Sequence, residues 1–302
     1  MKTSVCITTH NENLESIKSL LDSLNNQTLK PDEIIIVDAG QHNSKLQTLN
    51  SKLDIKYIHK PNISRAEGRN EAIKMAKNEI IAITDVGCIP NKDWLEKITK
   101  KLFEKKADVV AGGYKMTFEN NLQKTMSVFL GVSQKDMGKN FMPSARSMAL
   151  TKTIWKKTGG FPEDLNDTAE DTVFNINLIK AGAKFVTTKE AIVTWQMPNT
   201  IVDFAKKIYK YAKGDAISAI WWHPVKKLKT HNLKVATIFL RYLFAFIILA
   251  INFKLFLLYA FLYTLYAFYK AGYWGIPLQF VSDFACIIGF SHGIFSNYFK
   301  RS

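Results

Sequence analysis

The chain has few cysteines and no long apolar segment at its N-terminus. Its three cysteines, Cys6, Cys88 and Cys286, occur among 302 residues without regular spacing. So sparse and odd-numbered a set argues against a disulfide framework or a cysteine-based zinc site, and it is typical of a reducing compartment. The segment MKTSVCITTHNEN leads directly into an apolar strand pattern, so we expect no cleaved signal peptide.

Acidic residues are also in short supply, with 26 Asp and Glu against 41 Lys and Arg, for a net charge of +15. Such a balance suggests an anionic partner: nucleic acid, anionic lipid or a phosphorylated ligand. The sequence has no helix-turn-helix, zinc or RNA-binding signature, so we expect no nucleic-acid partner. A lysine cluster, Lys226, Lys227, Lys229 and Lys234, precedes an apolar tail and indicates the cytoplasmic side of a membrane; an ordinary solvated lysine face is the alternative.

Composition changes sharply along the chain. Residues 1–222 mix charged and apolar runs as a folded catalytic domain does, whereas residues 223–302 are predicted as a membrane-associated helical region. Residues 235–253 are long enough to cross a bilayer, which takes about 20 residues, and residues 255–269 are marginal by that measure. Residues 275–299 are predicted as an interfacial helix or a third span, with Gly289 and Gly293 as a helix-packing signal.

The first domain alternates strand and helix patterns. Short apolar runs predict strands over 4–9, 33–37, 55–58 and 79–84, and helical spacing predicts a helix over 64–77 with Ser64 and Glu67 as a capping box. This alternation predicts an α/β fold with a mostly parallel sheet. Further elements are predicted as helices over 91–103, 168–181 and 199–222 and as strands over 107–111 and 191–195.

Two acids follow buried strand patterns directly. Asp38 comes after residues 33–37 and Asp85 after residues 79–84. In open α/β sheets, ligands bind beyond the carboxyl ends of the strands. A turn or helix-capping role is the alternative for each acid. A carboxylate in Asp85's position can hold Mg²⁺ or Mn²⁺ together with the phosphates of a ligand.

Two further groups carry chemistry. Asp171 follows Glu170 at the start of a predicted helix and can accept a proton from a hydroxyl nucleophile, although acids are also favourable in any first helical turn. Arg65 and Arg69 lie one turn apart and suit phosphate binding, with solvated surface arginines as the alternative.

Taken in order, these segments resemble the inverting family 2 glycosyltransferases, which have a GT-A fold: a Rossmann-like mixed sheet flanked by helices. The resemblance covers about residues 3–220, and a membrane tail also occurs in the family. The matching segments are Thr8-Thr9-His10-Asn11-Glu12, Ile36-Val37-Asp38-Ala39-Gly40, Ser64-Arg65-Ala66-Glu67-Gly68-Arg69-Asn70, Thr84-Asp85-Val86-Gly87, Gly159-Gly160-Phe161 and Glu170-Asp171.

The resemblance implies a nucleotide-sugar donor, with a UDP-sugar as the family's usual choice, and a lipid-linked or glycan acceptor at the cell membrane. It implies Asp171 as the catalytic base and a divalent cation, Mg²⁺ or Mn²⁺, on Asp85. Glu170 and Trp195 would lie on the acceptor side. The implied donor-binding residues are Thr9, Asn11, Glu12, Asp38, Arg65, Arg69 and Asp85.

Two departures from the family pattern matter. Gly87 stands where a second metal-binding acid is usual, and the QxxRW signature of processive synthases is absent, which favours single additions. Two alternatives stay open. The first is a polyprenyl-phosphate sugar synthase of the same fold, whose phosphate acceptor needs no base. The second is a non-catalytic basic binding protein.

Overall fold

A computed structural model describes residues 2–41, 53–131, 137–138, 141–165 and 168–301 of the chain. These residues fall into two compact units. The first comprises Met1–Met116, Ser133–Asn166 and Glu170–Gln196, and the second comprises Thr117–Val132, Asp167–Ala169 and Met197–Ser302.

The described elements alternate as an α/β chain and end in long helices. The strands are β1 (Thr3–Thr9), β2 (Glu33–Asp38), β3 (Ile55–His59), β4 (Ile80–Ile83), β5 (Cys88–Pro90), β6 (Val109–Thr117), β7 (Met148–Thr151) and β8 (Phe185–Gln196). The helices are α1 (Leu14–Asn25), α2 (Arg65–Met75), α3 (Trp94–Glu104), α4 (Asn121–Leu130), α5 (Lys152–Lys157), α6 (Glu170–Lys180), α7 (Ile201–Ser218), α8 (His231–Ile251), α9 (Phe253–Ala271) and α10 (Gly275–Arg301).

In the described residues the strands form one eight-stranded mixed sheet with the order β3-β2-β1-β4-β7-β6-β8-β5. The four strands β3, β2, β1 and β4 are parallel, as the alternating pattern predicts. The expectation of a mostly parallel sheet is wrong for the other half, because β7 pairs antiparallel with both β4 and β6, and β5 pairs antiparallel with β8. The mixed sheet that the family resemblance implies is confirmed.

Strands β1, β2 and β4 are buried along their whole length because neighbouring strands and packed helices cover them. All seven residues of β1 and all six of β2 are buried. Continuous apolar runs of this kind are typical of parallel strands buried on both faces. The predicted capping box at the start of α2 is confirmed: Ser64 Oγ accepts from the Glu67 amide, and the Glu67 carboxylate accepts from the Ser64 amide.

The second unit is built from helices α4 and α7 to α10. Its main apolar cluster joins Met126, Phe204, Ile208, Leu278 and Ala285. Helices α7 and α10 approach each other closely, because a Cβ atom at Gly289 would lie 2.3 Å from the Tyr209 carbonyl oxygen. The Gly289 and Gly293 pair therefore serves the packing role that its spacing suggests.

Helices α8 and α9 carry a large exposed apolar surface. Within the described part of the chain, two helices are long and apolar enough to cross a membrane: His231–Ile251 and Gly275–Tyr298. Only 6% of the apolar 18-residue stretch of the first helix is buried, against 44% of the stretch in the second. Exposed side chains on α8 and α9 include Leu240, Phe244, Phe246, Ile251, Phe261, Leu262, Leu265 and Phe268.

Candidate active site at the carboxyl edge of the sheet

The predicted site residues of the first unit gather at one edge of the sheet. Strands β2, β1 and β4 are adjacent and parallel, so their carboxyl ends meet there. Asp38 is the last residue of β2, and Asp85 lies two residues beyond β4. The loop after β1 begins beside both. The sheet topology thus assembles the residues that the sequence places at strand ends.

Arg69 connects the β4 exit to helix α6. Its Nη2 donates to Asp85 Oδ1 at 2.8 Å, and its Nη1 donates to Glu170 Oε1. The Arg69 side chain is only 3% exposed. Its Nε, also buried, has no hydrogen-bond partner among the described residues. Arg69 is therefore a buried clamp between two carboxylates and not the solvated surface arginine that the sequence left as an alternative.

The two carboxylates held by Arg69 differ in how easily they ionise. Burial works against ionisation of Asp85, but Arg69 and Arg65 outweigh it and hold the pKa of this carboxyl below its usual value. Burial raises the pKa of Glu170, and the adjacent charge of Asp171 adds to this rise despite the opposing charge of Arg69. One guanidinium shared by two buried carboxylates does not fully offset the burial of Glu170, so the pKa of Glu170 stays above its usual value.

Asn70, the next residue on α2, holds the Gly-Gly-Phe turn. Its amide group donates to the Phe161 carbonyl at 2.9 Å and to Glu163 at 2.8 Å, while its carbonyl accepts from the Phe161 amide at 2.8 Å and from the Trp155 ring at 3.0 Å. Gly160 has a φ of 83°. A Cβ atom there would lie 2.6 Å from Asn70 Oδ1, so both the backbone and the space require glycine.

The Gly-Gly-Phe turn supports helix α6 through the ring of Phe161. The Phe161 ring stacks on Phe174 of α6 with centroids 4.0 Å apart, and the Arg69 guanidinium lies 5.6 Å from the Phe161 centroid. The Gly-Gly-Phe segment thus fixes the start of α6, where Glu170 and Asp171 lie. Glu170 is buried and Asp171 is half-buried. The residue before them, Ala169, has a φ of 73°, a strained conformation for a residue with a Cβ atom.

The loop after β1 is ordered by Glu12. Its carboxylate accepts from Thr9 Oγ1 at 2.8 Å and from Arg65 Nη2 at 2.8 Å, and it also accepts from the His10 amide. Asn11 has a φ of 60° and its side-chain oxygen accepts from the Gln41 amide at 3.0 Å. Among the predicted donor-side residues, Glu12 therefore links Thr9 to Arg65, and Asn11 ties the same loop to the loop after β2.

Asp38 is 1% exposed and held from two sides. Its Oδ1 accepts from the Gly40 amide at 3.0 Å, and its Oδ2 accepts from the Tyr57 hydroxyl at 2.7 Å. The His59 ring contacts the Gly40 carbonyl at 2.9 Å. Asp38 thus shapes the loop that follows β2, as well as lying at the edge where a nucleotide was expected.

Trp195 lies near the end of β8, and its ring contacts Arg146, a residue that sequence reasoning missed. The guanidinium of Arg146 lies 4.1 Å from the Trp195 ring centroid and 5.6 Å from that of Tyr114. Arg146 stands in the stretch 112–150, whose pattern allowed no prediction. Its only sequence signal is a basic residue two positions before the apolar run of β7.

The side chains at this edge can bind a divalent cation only if a bound substrate supplies further oxygen ligands. Within the described residues, no group of three His, Cys, Asp or Glu side chains is placed to hold a metal ion. Asp85 is a single hard oxygen ligand, and its ion pair with Arg69 uses only Oδ1. Mg²⁺ commonly takes one or two carboxylates plus substrate phosphates, so Asp85 fits such an ion when a diphosphate completes the site.

Comparison with known proteins identifies the class first. The mannosyltransferase PcManGT from Pyrobaculum calidifontis, solved with GDP-Man and Mn²⁺, has a similar structure over 100% of this chain and 88% of its own, with a TM-score of 0.74 at 16% identity. TarS 1-349 of S. aureus, solved with UDP-GlcNAc, is similar over 71% of this chain and 66% of its own, with a TM-score of 0.53 at 22% identity. These likenesses show a GT-A glycosyltransferase fold.

The sequence then gives the family. The family model for "Glycosyl transferase family 2" matches residues 4–160, and that for "Glycosyl transferase family group 2" matches residues 91–274. The chain belongs to glycosyl transferase family 2. The uncharacterized glycosyltransferase YwdF of Bacillus subtilis is 34% identical over 104 residues, which are 34% of this chain and 38% of that relative. The chain thus spans well under half of that relative's length.

Proposed function

We propose that the protein transfers one sugar from a nucleotide sugar to an acceptor hydroxyl, with inversion at the anomeric carbon. The observation that carries this proposal is the Arg69 clamp, which ties Asp85 at the β4 exit to Glu170, the neighbour of Asp171. A donor-side acid and a candidate base are thereby held on one rigid frame. Such preorganisation is what a displacement at carbon requires.

The donor is assigned to the edge formed by Asp38, Asp85 and the loop of Thr9, Asn11 and Glu12. The solved neighbours were captured with UDP-GlcNAc and with GDP-Man and Mn²⁺, which supports a nucleotide-sugar donor for this chain. We assign a UDP-sugar as the donor and Asp38 to its uracil or ribose side. Arg69 is then a positioning residue for Asp85, because its terminal nitrogens already donate to protein carboxylates.

The reaction breaks the bond between the anomeric carbon and the diphosphate oxygen and forms a bond from that carbon to the acceptor oxygen. The diphosphate leaves with the electron pair, and the acceptor proton passes to Asp171. A Mg²⁺ or Mn²⁺ ion on Asp85, when bound, supplies positive charge to the leaving diphosphate. Glu170 and Trp195 are assigned to the acceptor side, where Glu170 fixes the first turn of α6 through Arg69.

The test of the base is Asp171→Asn, compared with Asp164→Asn in the exposed turn before α6. General-base catalysis contributes on the order of 10²–10⁴-fold, so Asp171→Asn should lower kcat by at least about 100-fold while donor affinity stays unchanged. Asp164→Asn should retain full activity. Near-normal activity of Asp171→Asn would contradict the base and favour the polyprenyl-phosphate synthase alternative, whose acceptor needs no deprotonation.

The metal assignment has its own measurement. Binding of UDP-GlcNAc and GDP-Man is measured with Mn²⁺ and with EDTA, for the wild type and Asp85→Asn. We expect Mn²⁺ to strengthen donor binding to the wild type and to have a much smaller effect on Asp85→Asn. Equal, metal-independent binding by both proteins would remove Asp85 from the metal role.

We further propose that helices α8 to α10 attach the protein to the cell membrane, with the first unit on the cytoplasmic side and a lipid-linked or glycan acceptor. The apolar surface exposed on α8 and α9 supports this, since soluble monomers rarely expose apolar patches beyond a few hundred Å². The lysines before α8 suit a cytoplasmic flank. Alkaline carbonate extraction of membranes from expressing cells should leave the full chain in the pellet, and protease should reach its first unit in inside-out vesicles only. Release into the supernatant would contradict the attachment.

A further inference from the structure

Arg146 and Asp85 lie at the same end of the β4–β7 strand pair. Strands β4 and β7 pair antiparallel, with Ile80 beside Thr151 and Ile83 beside Met148. Two residues past Ile83 is Asp85, and two residues before Met148 is Arg146. The two strands therefore deliver a carboxylate and a guanidinium to the same end of the pair.

A second strand pair brings an aromatic support to this end. Strands β5 and β8 are antiparallel, with Cys88 beside Trp195. Cys88 follows Asp85 by three residues, so Trp195 is tied to the same stretch of chain. The Arg146 guanidinium lies 4.1 Å from the Trp195 ring centroid, and Tyr114 meets Trp195 edge to face at 6.2 Å. Arg146 Nη1 donates to Ser144 Oγ at 3.0 Å.

The aromatic rings orient the guanidinium of Arg146 and do not occupy the plane in which a guanidinium binds anions. Stacking uses the flat face of a guanidinium, whereas its hydrogen bonds to a phosphate lie in its plane. An arginine held by aromatic rings also loses less conformational freedom when it binds, because its rotamer is already restricted. Trp195 and Tyr114 thus act as positioning residues for Arg146.

Three arginines act on the charge of Asp85, and they are buried to different degrees. Arg69 is 3% exposed and donates to two carboxylates, and Arg65 pairs with Glu12 in the β1 loop. Arg146 is half-buried in the turn just before β7. Its positive charge, like those of the other two, helps to hold the pKa of Asp85 below its usual value, which places the group within electrostatic reach of that carboxylate.

We infer that Arg146 binds a phosphate or diphosphate group at the Asp85 edge. This assignment rests on the proposed function and extends it with a residue for the anionic part of a substrate. A diphosphate brought beside Asp85 needs positive charge from the other side, and Arg146 supplies it from the turn before β7. The phosphate belongs to the nucleotide-sugar donor or to a phosphate-linked acceptor, and the experiment separates these two sources.

The experiment compares the wild type with Arg146→Gln and Arg146→Lys in the full-length protein. Calorimetry measures binding of UDP and GDP, and of uridine and guanosine, which lack phosphate, with Mn²⁺ and with EDTA. A charge-assisted hydrogen bond to phosphate is worth roughly tenfold or more in affinity. For a donor phosphate, Arg146→Gln should weaken diphosphate binding about tenfold in both media and leave nucleoside binding within about twofold, with Arg146→Lys in between.

If the phosphate is the acceptor's, Arg146→Gln leaves nucleotide binding unchanged. It then raises KM about tenfold for a polyprenyl-phosphate-linked acceptor and leaves KM unchanged for an acceptor without phosphate. Trp195→Phe keeps a smaller ring against the guanidinium. It should change whichever constant Arg146→Gln changes, the diphosphate affinity or the KM for the acceptor, in the same direction but by less. Urea denaturation of each variant checks that the fold is intact.

Equal loss of nucleoside and diphosphate affinity, or no change in any of these constants, would overturn the assignment. A loss confined to Mn²⁺-containing buffer would overturn it as well, since Arg146 would then act only through Asp85. Failure of the proposed function looks different: the wild type itself would bind no nucleotide and turn over no nucleotide sugar.

Discussion

Arg69 donates to Asp85 at 2.8 Å while only 3% of its own side chain is exposed, and its other terminal nitrogen donates to Glu170. The two carboxylates come from parts of the chain that are far apart, at the exit of β4 and the start of α6. A single buried cation therefore holds both halves of the candidate site. This relationship makes the site's stability and its charge state depend on one residue.

Removal of Arg69 should be costly for the fold. Arg69→Met leaves two carboxylates without their cation, and breaking a buried ion pair from one side costs about 3–5 kcal/mol. Arg65→Met is the matched control, because the Arg65–Glu12 pair is 42% and 21% exposed and such pairs contribute about 1 kcal/mol or less. Urea denaturation of the detergent-solubilised chain, followed by tryptophan fluorescence, measures both. Losses of similar size in the two variants would refute the buried-clamp assignment.

Glu170 should make stability depend on pH. Burial raises the pKa of Glu170, so its stabilising contribution is complete below the unfolded value of about 4.3 and declines as pH rises toward the folded pKa. Glu170→Gln cannot ionise, and its free energy of unfolding should therefore improve relative to the wild type as pH rises above about 4.3. Exposed Glu190 supplies the control, and Glu190→Gln should track the wild type at each pH. A Glu170→Gln difference that shrinks over this range would mean that Arg69 outweighs burial.

Asn70 should matter more than its uncharged side chain suggests. It makes four hydrogen bonds, all to residues 155–163. Asn70→Ala strands buried groups of the Gly-Gly-Phe turn, each worth about 1–3 kcal/mol, and we expect a total loss of about 2–4 kcal/mol by urea denaturation. Asn78→Ala, which loses one long hydrogen bond of 3.4 Å to Glu33, should cost less than about 1 kcal/mol. Equal effects would show that the turn does not depend on Asn70.

The α7–α10 contact should tolerate no side chain at Gly289. A Cβ atom at this position would lie 2.3 Å from the Tyr209 carbonyl oxygen, so Gly289→Leu must push the helices apart. Overpacking of this kind costs about 1–3 kcal/mol, and the thermal midpoint in detergent should fall accordingly. Ala250→Leu introduces the same side chain at an exposed position of α8 and should leave the midpoint unchanged. An unaltered midpoint for Gly289→Leu would exclude close packing there.

Much of the first unit follows from local signals in the sequence. The apolar runs of β1, β2 and β4 and the capping box at Ser64 are set by residues within a few positions of each other. Asp38 and Asp85 are recognisable because parallel strands end at a common edge. The order of these segments was also enough to place the chain in its family, which the comparisons confirm.

The tertiary structure decided which side chains meet. The sequence pattern predicted that Arg69 binds phosphate. In the fold, Arg69 instead donates a hydrogen bond to the carboxylate of Glu170, 101 residues away. The pairing of Arg146 with Trp195 depends on two antiparallel strand pairs that no local periodicity reports. The periodicity of apolar residues predicts which face of a helix or strand is buried, and the ends of parallel strands predict where ligands bind. Contacts between distant charged and aromatic groups arise only when sheet register brings them together, because their free energy depends on burial that the whole fold creates.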